Sequence, residues 1–248
     1  MKYALITGGT GFVGWYLSHC LIDGKYPAFC WDANRFTYKK YLDVDGRRRL
    51  LGLKQDSDYI IHLAPVPVDE VIECARKTGA RILFASSGAV YDKKPDAYGK
   101  LKIASEKKLL ASGLDVRIAR MFTFIGHGLP EHLAPVKMLR SMQAGQPMLC
   151  GEAVRSYMDA EDMARWLWAI LLDAEPMSVY DVGSDVPVTM GQLAEQMGKG
   201  RSGSSWQAGA FKEPRKTYLP NIKPIQNDLG VKITIPLEMA VERFIRSY

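Results

Sequence analysis

The chain has 248 residues, 47% of them hydrophobic and 24% charged, with a net charge of +6. That is ordinary for a globular protein and long enough to bury a large core, so one α/β unit or one domain with a lobe is expected. No apolar run reaches membrane-spanning length, the start MKYALITGG lacks the length and cleavage site of a signal peptide, and no basic–aromatic constellation points to nucleic acid.

In chain order, Lys2 to Thr7 is an aliphatic, β-branched run that reads as a buried strand. Gly8, Gly9, Thr10, Gly11, Phe12, Val13 and Gly14 follow at once, and WYLSHCLIDGK then reads as a helix ending at Gly24. Strand, glycine-rich turn and helix is the context in which a GxGxxG match carries meaning. Gly9, Gly11 and Gly14 satisfy it, and Gly8, Gly11 and Gly14 satisfy GxxGxxG. The physical demand is a tight turn and a close approach of backbone to a pyrophosphate at the helix N-terminus. A glycine-rich turn without a ligand is the plainer alternative. Pro27 to Trp31 is a second apolar strand. It ends at Asp32, 18 residues beyond Gly14, close to the distance at which an acid reaches the adenosine ribose hydroxyls. Arg35 stands near enough to accept a 2′-phosphate instead, so NAD is expected and NADP stays open.

Tyr41 to Asp45 reads as a short strand before a basic helix. Asp58 to Ala64 is a further buried strand, with His62 inside it as a core histidine rather than a catalytic one. Asp69 to Thr78 has helical spacing, and Gly79 ends it. Arg81 to Ala85 is the next strand, closing on Ser86 and Ser87. Tyr98 and Lys102 follow on one face of a helix. An ammonium one turn from a phenol favours the phenolate, and a tyrosine so tuned can serve as general acid or base. A serine hydroxyl can hydrogen-bond the oxygen that gains or loses the proton.

Leu114 to Phe122 is another strand. Gly126 to Pro135 reads as a loop, Val136 to Ala144 as a short helix, Met148 to Tyr157 as irregular or hairpin-like, and Asp159 to Leu172 as a strong helix. Ser178 to Val182 is a last core strand, Gly198 to Gly209 a mobile Gly/Ser-rich loop, and the final segment holds two short helical patterns around Ile235-Pro236. The regular βα alternation argues for a parallel, doubly wound sheet. Cys20, Cys30, Cys74 and Cys150 lie far apart with no CxxC. They read as reduced core thiols of a cytoplasmic protein, with no metal and no disulfide framework. The positive charge suits an anionic ligand such as a diphosphate, and equally a solvated basic surface.

With these pieces placed, the chain resembles an extended short-chain dehydrogenase/reductase of the NAD-dependent epimerase/dehydratase family, over most of its length and least from 198 to 217. TGGTGFVG resembles the family's cofactor signature, which implies that Gly8, Thr10, Gly11, Phe12, Val13 and Gly14 bind the dinucleotide. SSGAVY and YGKLKIASE resemble SSxxVY and YGxxKxxxE. The resemblance implies Ser87 rather than Ser86, Tyr98 and Lys102 as the catalytic trio, with Ser87 also touching the substrate, Tyr98 also against the cofactor and Lys102 on the nicotinamide ribose. It further implies Asp32 as the ribose acid, Asp43-Val44 against the adenine, Leu63-Ala64-Pro65 beside the pyrophosphate and nicotinamide ribose, and Arg120-Met121-Phe122 as the stretch lining the nicotinamide pocket. RSYMDAEDMA resembles RDYIHVDDVA, which implies that Arg155 holds a substrate diphosphate. Thr123 stands where epimerases often carry an Asn that touches the nucleotide sugar.

The fold so implied is α/β, a doubly wound parallel Rossmann sheet over 1–125, completed by 159–182. A small C-terminal substrate-binding lobe over 126–248 interleaves with it. The implied function is an NAD(P)-dependent nucleotide-sugar C4 epimerase or 4-keto reductase, in which Tyr98 transfers the proton and the nicotinamide the hydride. A 4,6-dehydratase or decarboxylase of the same family and a non-catalytic dinucleotide-sensing protein are the alternatives. Gly88 and Ala89 fill the two positions after Ser87 where the family's dehydratases carry Asp-Glu, which weighs against elimination. The loop between Tyr91 and Tyr98 is six residues long, shorter than is usual in the family. The implied partners are a nucleotide-diphosphate sugar and a second copy of the chain, docked through helices at 69–78 and 99–112, with no nucleic acid and no membrane.

Overall fold

In the computed structural model, which describes residues 4–9, 11–19, 30–32, 57–64, 66–151, 153–199, 205–208 and 219–248, the short aliphatic runs become a parallel sheet. The chain divides into two units, one of residues 1–121, 164–182 and 223–231, the other of 122–163, 183–222 and 232–248. The first unit carries strands β1 (Ala4–Thr7), β2 (Cys30–Asp32), β3 (Tyr59–His62), β4 (Arg81–Ser87), β5 (Val116–Met121) and β6 (Val179–Val182). Its helices are α1 (Phe12–His19), α2 (Val68–Thr78), α3 (Ala97–Leu110), most of α4 (Ala160–Asp173), and α5 (Lys223–Leu229). The expected strand at Tyr41 to Asp45 lies outside the described residues.

The sheet runs β6-β5-β4-β3-β1-β2, and every neighbouring pair is parallel. From β1 the chain goes one way to β2 and the other way to β3 and beyond. In such a sheet the crevice at the carboxyl ends of β1 and β3 is the natural ligand site. Leu5, Ile60, Ile82, Phe84 and Ile118 alternate with Ile6, Ile61, Leu83 and Ala119, all buried, so both faces need cover. The first set packs with Val71, Ile72 and Ala75 of α2 and Leu109 of α3. Across the sheet, α1 and α4 are joined where Trp168 Nε1 donates to the Leu17 carbonyl at 3.2 Å.

Local chemistry explains where the helices stop. α2 has Asp69 and Glu70 in its first turn, Arg76 and Lys77 in its last, and Gly79 at φ +72 as its left-handed cap. α4 ends in two guanidiniums. Arg81 Nη1 donates to the Leu171 and Leu172 carbonyls at 2.9 and 2.7 Å, and Arg117 donates twice to the Ala174 carbonyl at 2.9 and 2.7 Å. Asp115 is paired with both arginines, so the buried Arg117 charge has a partner. α5 is held to this unit by Tyr180, whose hydroxyl donates to Asp228 at 2.8 Å.

The second unit is built from small pieces. Phe124–Ile125 pairs with Met158–Asp159, Val154–Arg155 with Val188–Thr189, and Met148–Cys150 with Trp206–Ala208. Helices Ala134–Gln143, Met190–Gly198 and Leu237–Arg246 pack among them. Within the stretch from Gly198 to Gly209, expected as a mobile loop, Trp206–Ala208 is a strand, while 200–204 and 209 lie outside the described residues. Three residues inside a Gly/Ser-rich segment are too few to leave a period in the sequence. In the stretch from Met148 to Tyr157, expected as irregular or hairpin-like, the two short strands pair with different partners and form no hairpin with each other. Among the described residues no helix is long and apolar enough to cross a membrane.

Asp162 ties the late chain to this unit. Fully buried, it accepts from Thr234 N at 2.8 Å, Thr234 Oγ1 at 2.6 Å and Ile235 N at 2.8 Å. Asp162→Ala strands these donors and is expected to cost about 2–4 kcal/mol. Thermal unfolding of the variant should show a clearly lowered Tm, and an unchanged Tm would mean that water takes over the carboxylate's role.

Candidate functional site

The glycine turn after β1 is concave because it lacks side chains. Gly8 sits at φ +77, and a Cβ on Gly14 would lie 2.4 Å from Gly9 Cα and 2.5 Å from the Gly8 carbonyl oxygen. No other residue fits at Gly14. The Gly11 amide donates to the Gly8 carbonyl at 3.0 Å, and Trp15 N to the Gly11 carbonyl at 2.8 Å opens α1. Gly11 is exposed, Phe12 and Val13 are half-buried, and the Phe12 ring packs edge-on against Tyr16 at 5.3 Å. An open turn at a helix N-terminus, with no Cβ in the way, fits a dinucleotide pyrophosphate. Asp32 ends β2, level with Ile6 at the carboxyl edge of the sheet. Its side chain and residues Thr10, Arg35, Asp43, Val44 and Pro65 lie outside the described residues.

Beside this turn the end of β3 is fixed by one hydroxyl. Thr7 Oγ1 accepts from Leu63 N at 3.1 Å and Ala64 N at 3.2 Å, and stands 2.9 Å from His62 Nδ1. With its acceptor capacity used, the hydroxyl donates its proton to Nδ1, so the imidazole is neutral and carries its proton on Nε2. Burial, reinforced by the charge of Lys102 and opposed by a hydrogen bond to the Val66 backbone, lowers the His62 pKa to about 4. The ring stacks on Phe84 with centroids 5.6 Å apart.

β4 runs through both serines, and strand alternation separates them. Ser86 is buried and donates to Glu106 Oε1 at 2.5 Å. Ser87 is half-buried, and its Oγ accepts from Ala89 N at 3.2 Å, capping the 3₁₀ turn Gly88–Tyr91. Asp96 caps α3 by accepting from Gly99 N at 2.8 Å. A Cβ on Gly99 would lie 2.9 Å from Pro95 Cβ and 3.1 Å from the Ala89 carbonyl oxygen. This glycine therefore lets the start of α3 pack against the turn that follows Ser87. Tyr98 is 51% exposed. Lys102 Nζ donates to the Ala85 carbonyl at 2.7 Å, 4.7 Å from the centre of the Phe84 ring and 5.7 Å from that of Tyr98. Burial lowers the Lys102 pKa to about 8, against the pull of Glu106. Met121 ends β5 in register with Ser87.

The sequence reading missed a network behind these residues. Arg120 Nε and Nη2 donate to Glu106 at 3.1 and 2.7 Å, and its Nη1 donates to the Tyr91 hydroxyl at 2.8 Å. Tyr91 in turn donates to Asp181 at 2.8 Å. Glu106 and Tyr91 stood at the ends of the two motifs, but nothing in their spacing names Arg120 or Asp181 as partners.

In the second unit, Thr123 and Arg155 line one cavity of about 730 Å³ together with Phe124, His132, Lys137 and Tyr157. Arg155 Nη1 donates to the Val154 carbonyl at 2.9 Å. The Thr123 carbonyl accepts from Met158 N at 3.1 Å. Phe122 packs on Gly183, where a Cβ would lie 2.9 Å from Phe122 Cβ. Met121 thus belongs to the first unit, and Phe122 and Thr123 to the second.

The model of the NAD dependent epimerase/dehydratase family matches residues 4–70 and 66–183. The chain belongs to this family. It is 22% identical over 306 aligned residues to UDP-glucuronic acid decarboxylase 1 of Xenopus tropicalis, covering 100% of this chain and 72% of that protein. Two solved structures share the epimerase/dehydratase fold. One is a dTDP-glucose 4,6-dehydratase from Bacillus anthracis in complex with NAD, at TM-score 0.81 and 17% identity, over 100% of this chain and 96% of the other. The second is a UDP-glucuronic acid 4-epimerase from Bacillus cereus in complex with NAD, at TM-score 0.82 and 18% identity, over 99% and 98%.

His62 has a consequence for stability. Its folded pKa of about 4 lies below the ordinary 6.5, so between those values the unfolded chain binds the proton more readily. The stabilisation is complete above pH 6.5 and is lost as pH falls towards 4, on the order of 3 kcal/mol in all. Denaturant unfolding from pH 7 to 4 should be less steeply pH-dependent in His62→Asn than in the wild type. Parallel pH dependences would show that the imidazole titrates normally.

Proposed function

We propose that the protein binds NAD(H) and modifies a nucleotide-diphosphate sugar, as a C4 epimerase or a 4-keto reductase. The observation that carries this reading is the seat of Lys102, which brings an ammonium to the Tyr98 ring on the helix that starts against the Ser87 turn. The backbone of Gly8, Gly11 and Gly14 would hold the pyrophosphate, and Asp32 the adenosine ribose, where its charge disfavours a 2′-phosphate. Bound there, the nicotinamide supplies the hydride acceptor or donor. Tyr98 takes the proton of the sugar's C4 hydroxyl in the oxidising direction and returns one in the reducing direction. Lys102 faces the phenolate that takes the proton in the oxidising direction and is left behind in the reducing one, and the Ala85 carbonyl keeps its ammonium in place. Ser87 donates a hydrogen bond to the reacting oxygen, a role closed to Ser86 by its bond to Glu106. Arg155, in a cavity with Lys137 and His132, holds the substrate diphosphate through its planar fork. Leu101, 59% exposed on α3 between Ala97 and Ala104, supports a homodimer.

Elimination of water or loss of a carboxylate calls for proton-transfer groups beyond this trio. Gly88 and Ala89 offer none. The described carboxylates around the trio are engaged: Asp92 with Lys94 N at 2.9 Å, Asp96 with Gly99 N at 2.8 Å, Glu106 with Arg120, and Asp181 with Tyr91. Epimerisation and keto reduction need only Ser87, Tyr98 and Lys102. The small second unit leans the reading towards the reductase, because an epimerase must also let the keto sugar turn over within its site.

The test is incubation with UDP-, dTDP-, GDP- and CDP-hexoses and their 4-keto derivatives, followed by NMR. A C4-inverted hexose selects the epimerase, and NAD(P)H consumption with 4-keto sugars alone selects the reductase. A 4-keto-6-deoxy product made directly from a hexose overturns the reading. In the active assay Tyr98→Phe should lower kcat by roughly 10²–10⁴-fold while leaving cofactor Kd little changed. A variant that keeps most of its activity removes Tyr98 from its role.

A further inference from the structure

We infer that Thr7 and His62 are a positioning pair for the cofactor: together they hold the Leu63–Ala64 backbone against Gly8 and seat the Phe84 ring on which Lys102 rests. The inference rests on the dinucleotide reading of the glycine turn.

The β1–β3 ladder already pairs Thr7 with His62 through the backbone, so their side chains are not needed to join the strands. Those side chains instead reach past the end of the ladder. Leu63 N lies 3.2 Å from the Thr7 carbonyl and 3.1 Å from its hydroxyl, and Ala64 N lies 3.2 Å from the same hydroxyl. An oxygen accepts two amides in a fixed direction only if its own proton is placed elsewhere, and His62 Nδ1, at 2.9 Å, takes it. The imidazole therefore orients the hydroxyl, and the hydroxyl sets the height of the Leu63–Ala64 turn.

That height matters because the two turns touch. A Cβ on Gly8 would lie 3.2 Å from Ala64 N and 3.4 Å from its Cα and Cβ. Any rise of Ala64 moves the wall of the glycine cradle. The imidazole also stacks on Phe84 at 5.6 Å, and Lys102 Nζ lies 4.7 Å from that ring's centre. The loop that would cradle the cofactor and the lysine of the trio thus meet through Thr7, His62 and Phe84. A histidine that merely fills the core would affect stability and leave ligand affinity alone.

The experiment compares NAD(H) Kd by calorimetry with Tm for one series of variants. Thr7→Val keeps the shape and removes the hydroxyl, and should weaken NAD(H) about tenfold, the effect of losing one to two hydrogen bonds. Thr7→Ser keeps the hydroxyl and should stay near the wild type. His62→Asn, whose Oδ1 can accept from Thr7, should fall between. Because the two side chains act through one bond, Thr7→Val with His62→Leu should cost no more affinity than the worse single change. Asp162→Ala, destabilised in the second unit, should keep its NAD(H) affinity. If Thr7→Val does not fold, Thr7→Ser and His62→Asn carry the same comparison. Wild-type affinity in the hydroxyl-free or imidazole-free variants, or additive losses in the double variant, overturns the inference alone. A wild-type protein that binds neither NAD(H) nor NADP(H) overturns the cofactor reading and this inference with it.

Discussion

A single neutral carbonyl, that of Ala85, carries the ammonium of Lys102. Much of the first unit can be derived from that bond. Beyond that carbonyl β4 continues as a strand through Ser86 and Ser87, paired with β5. Continuation places Ser86 in the core and Ser87 at its edge, which decides between two serines that look alike in the sequence. For Lys102 to reach the carbonyl, α3 must start close against the turn after Ser87, and only a residue without Cβ allows it at Gly99. Strand end, turn and helix start are therefore one constraint, met by residues from Phe84 to Lys102.

The cations packed into the first unit divide by the partner each is given. Arg117 has Asp115, and Arg120 has Glu106 along two hydrogen bonds. Such pairs keep full charge inside a protein, because a guanidinium does not release its proton. Their use here is architectural: Arg117 closes α4, and Arg120 ties β5 to α3 and to the turn that carries Tyr91. Lys102 receives no carboxylate within bonding distance among the described pairs, and burial accordingly brings its pKa to about 8. An amine poised near neutrality, close to an exposed phenol, suits proton transfer in a way that a paired arginine could not.

What was legible in the sequence was local. The glycine spacing after a strand, the serine pair at a strand end and the Tyr98–Lys102 spacing each lie within a short window. The continuous apolar runs of the buried strands read just as directly. What stayed hidden was pairing across the chain. Arg120 finds Glu106 across 14 positions and Tyr91 across 29, and Tyr91 finds Asp181 across 90. Asp162 caps Thr234 across 72. Periodicity tells which face a side chain takes, never which partner waits there. The short strand Trp206–Ala208 failed to show for a related reason. Its three residues are ordered by the backbone edge of Met148–Cys150, not by a pattern of their own.

His62 shows how a residue can be structural in kind and still bear on chemistry. Read from the sequence it is a core histidine, and it is one: buried, neutral and hydrogen-bonded. Its neutrality is nevertheless a condition on the site. Protonation at Nδ1 would turn the acceptor of the Thr7 proton into a donor, and the hydroxyl would have to abandon one of its two amides. The same proton would set a second cation beside the Phe84 ring on which Lys102 already rests, and each charge would then disfavour the other. Burial prevents both at neutral pH. An aliphatic side chain could fill the space but could not take the Thr7 proton, and a lysine or arginine would bring the charge with it. Imidazole held neutral by burial fills the space and accepts that proton without adding a charge.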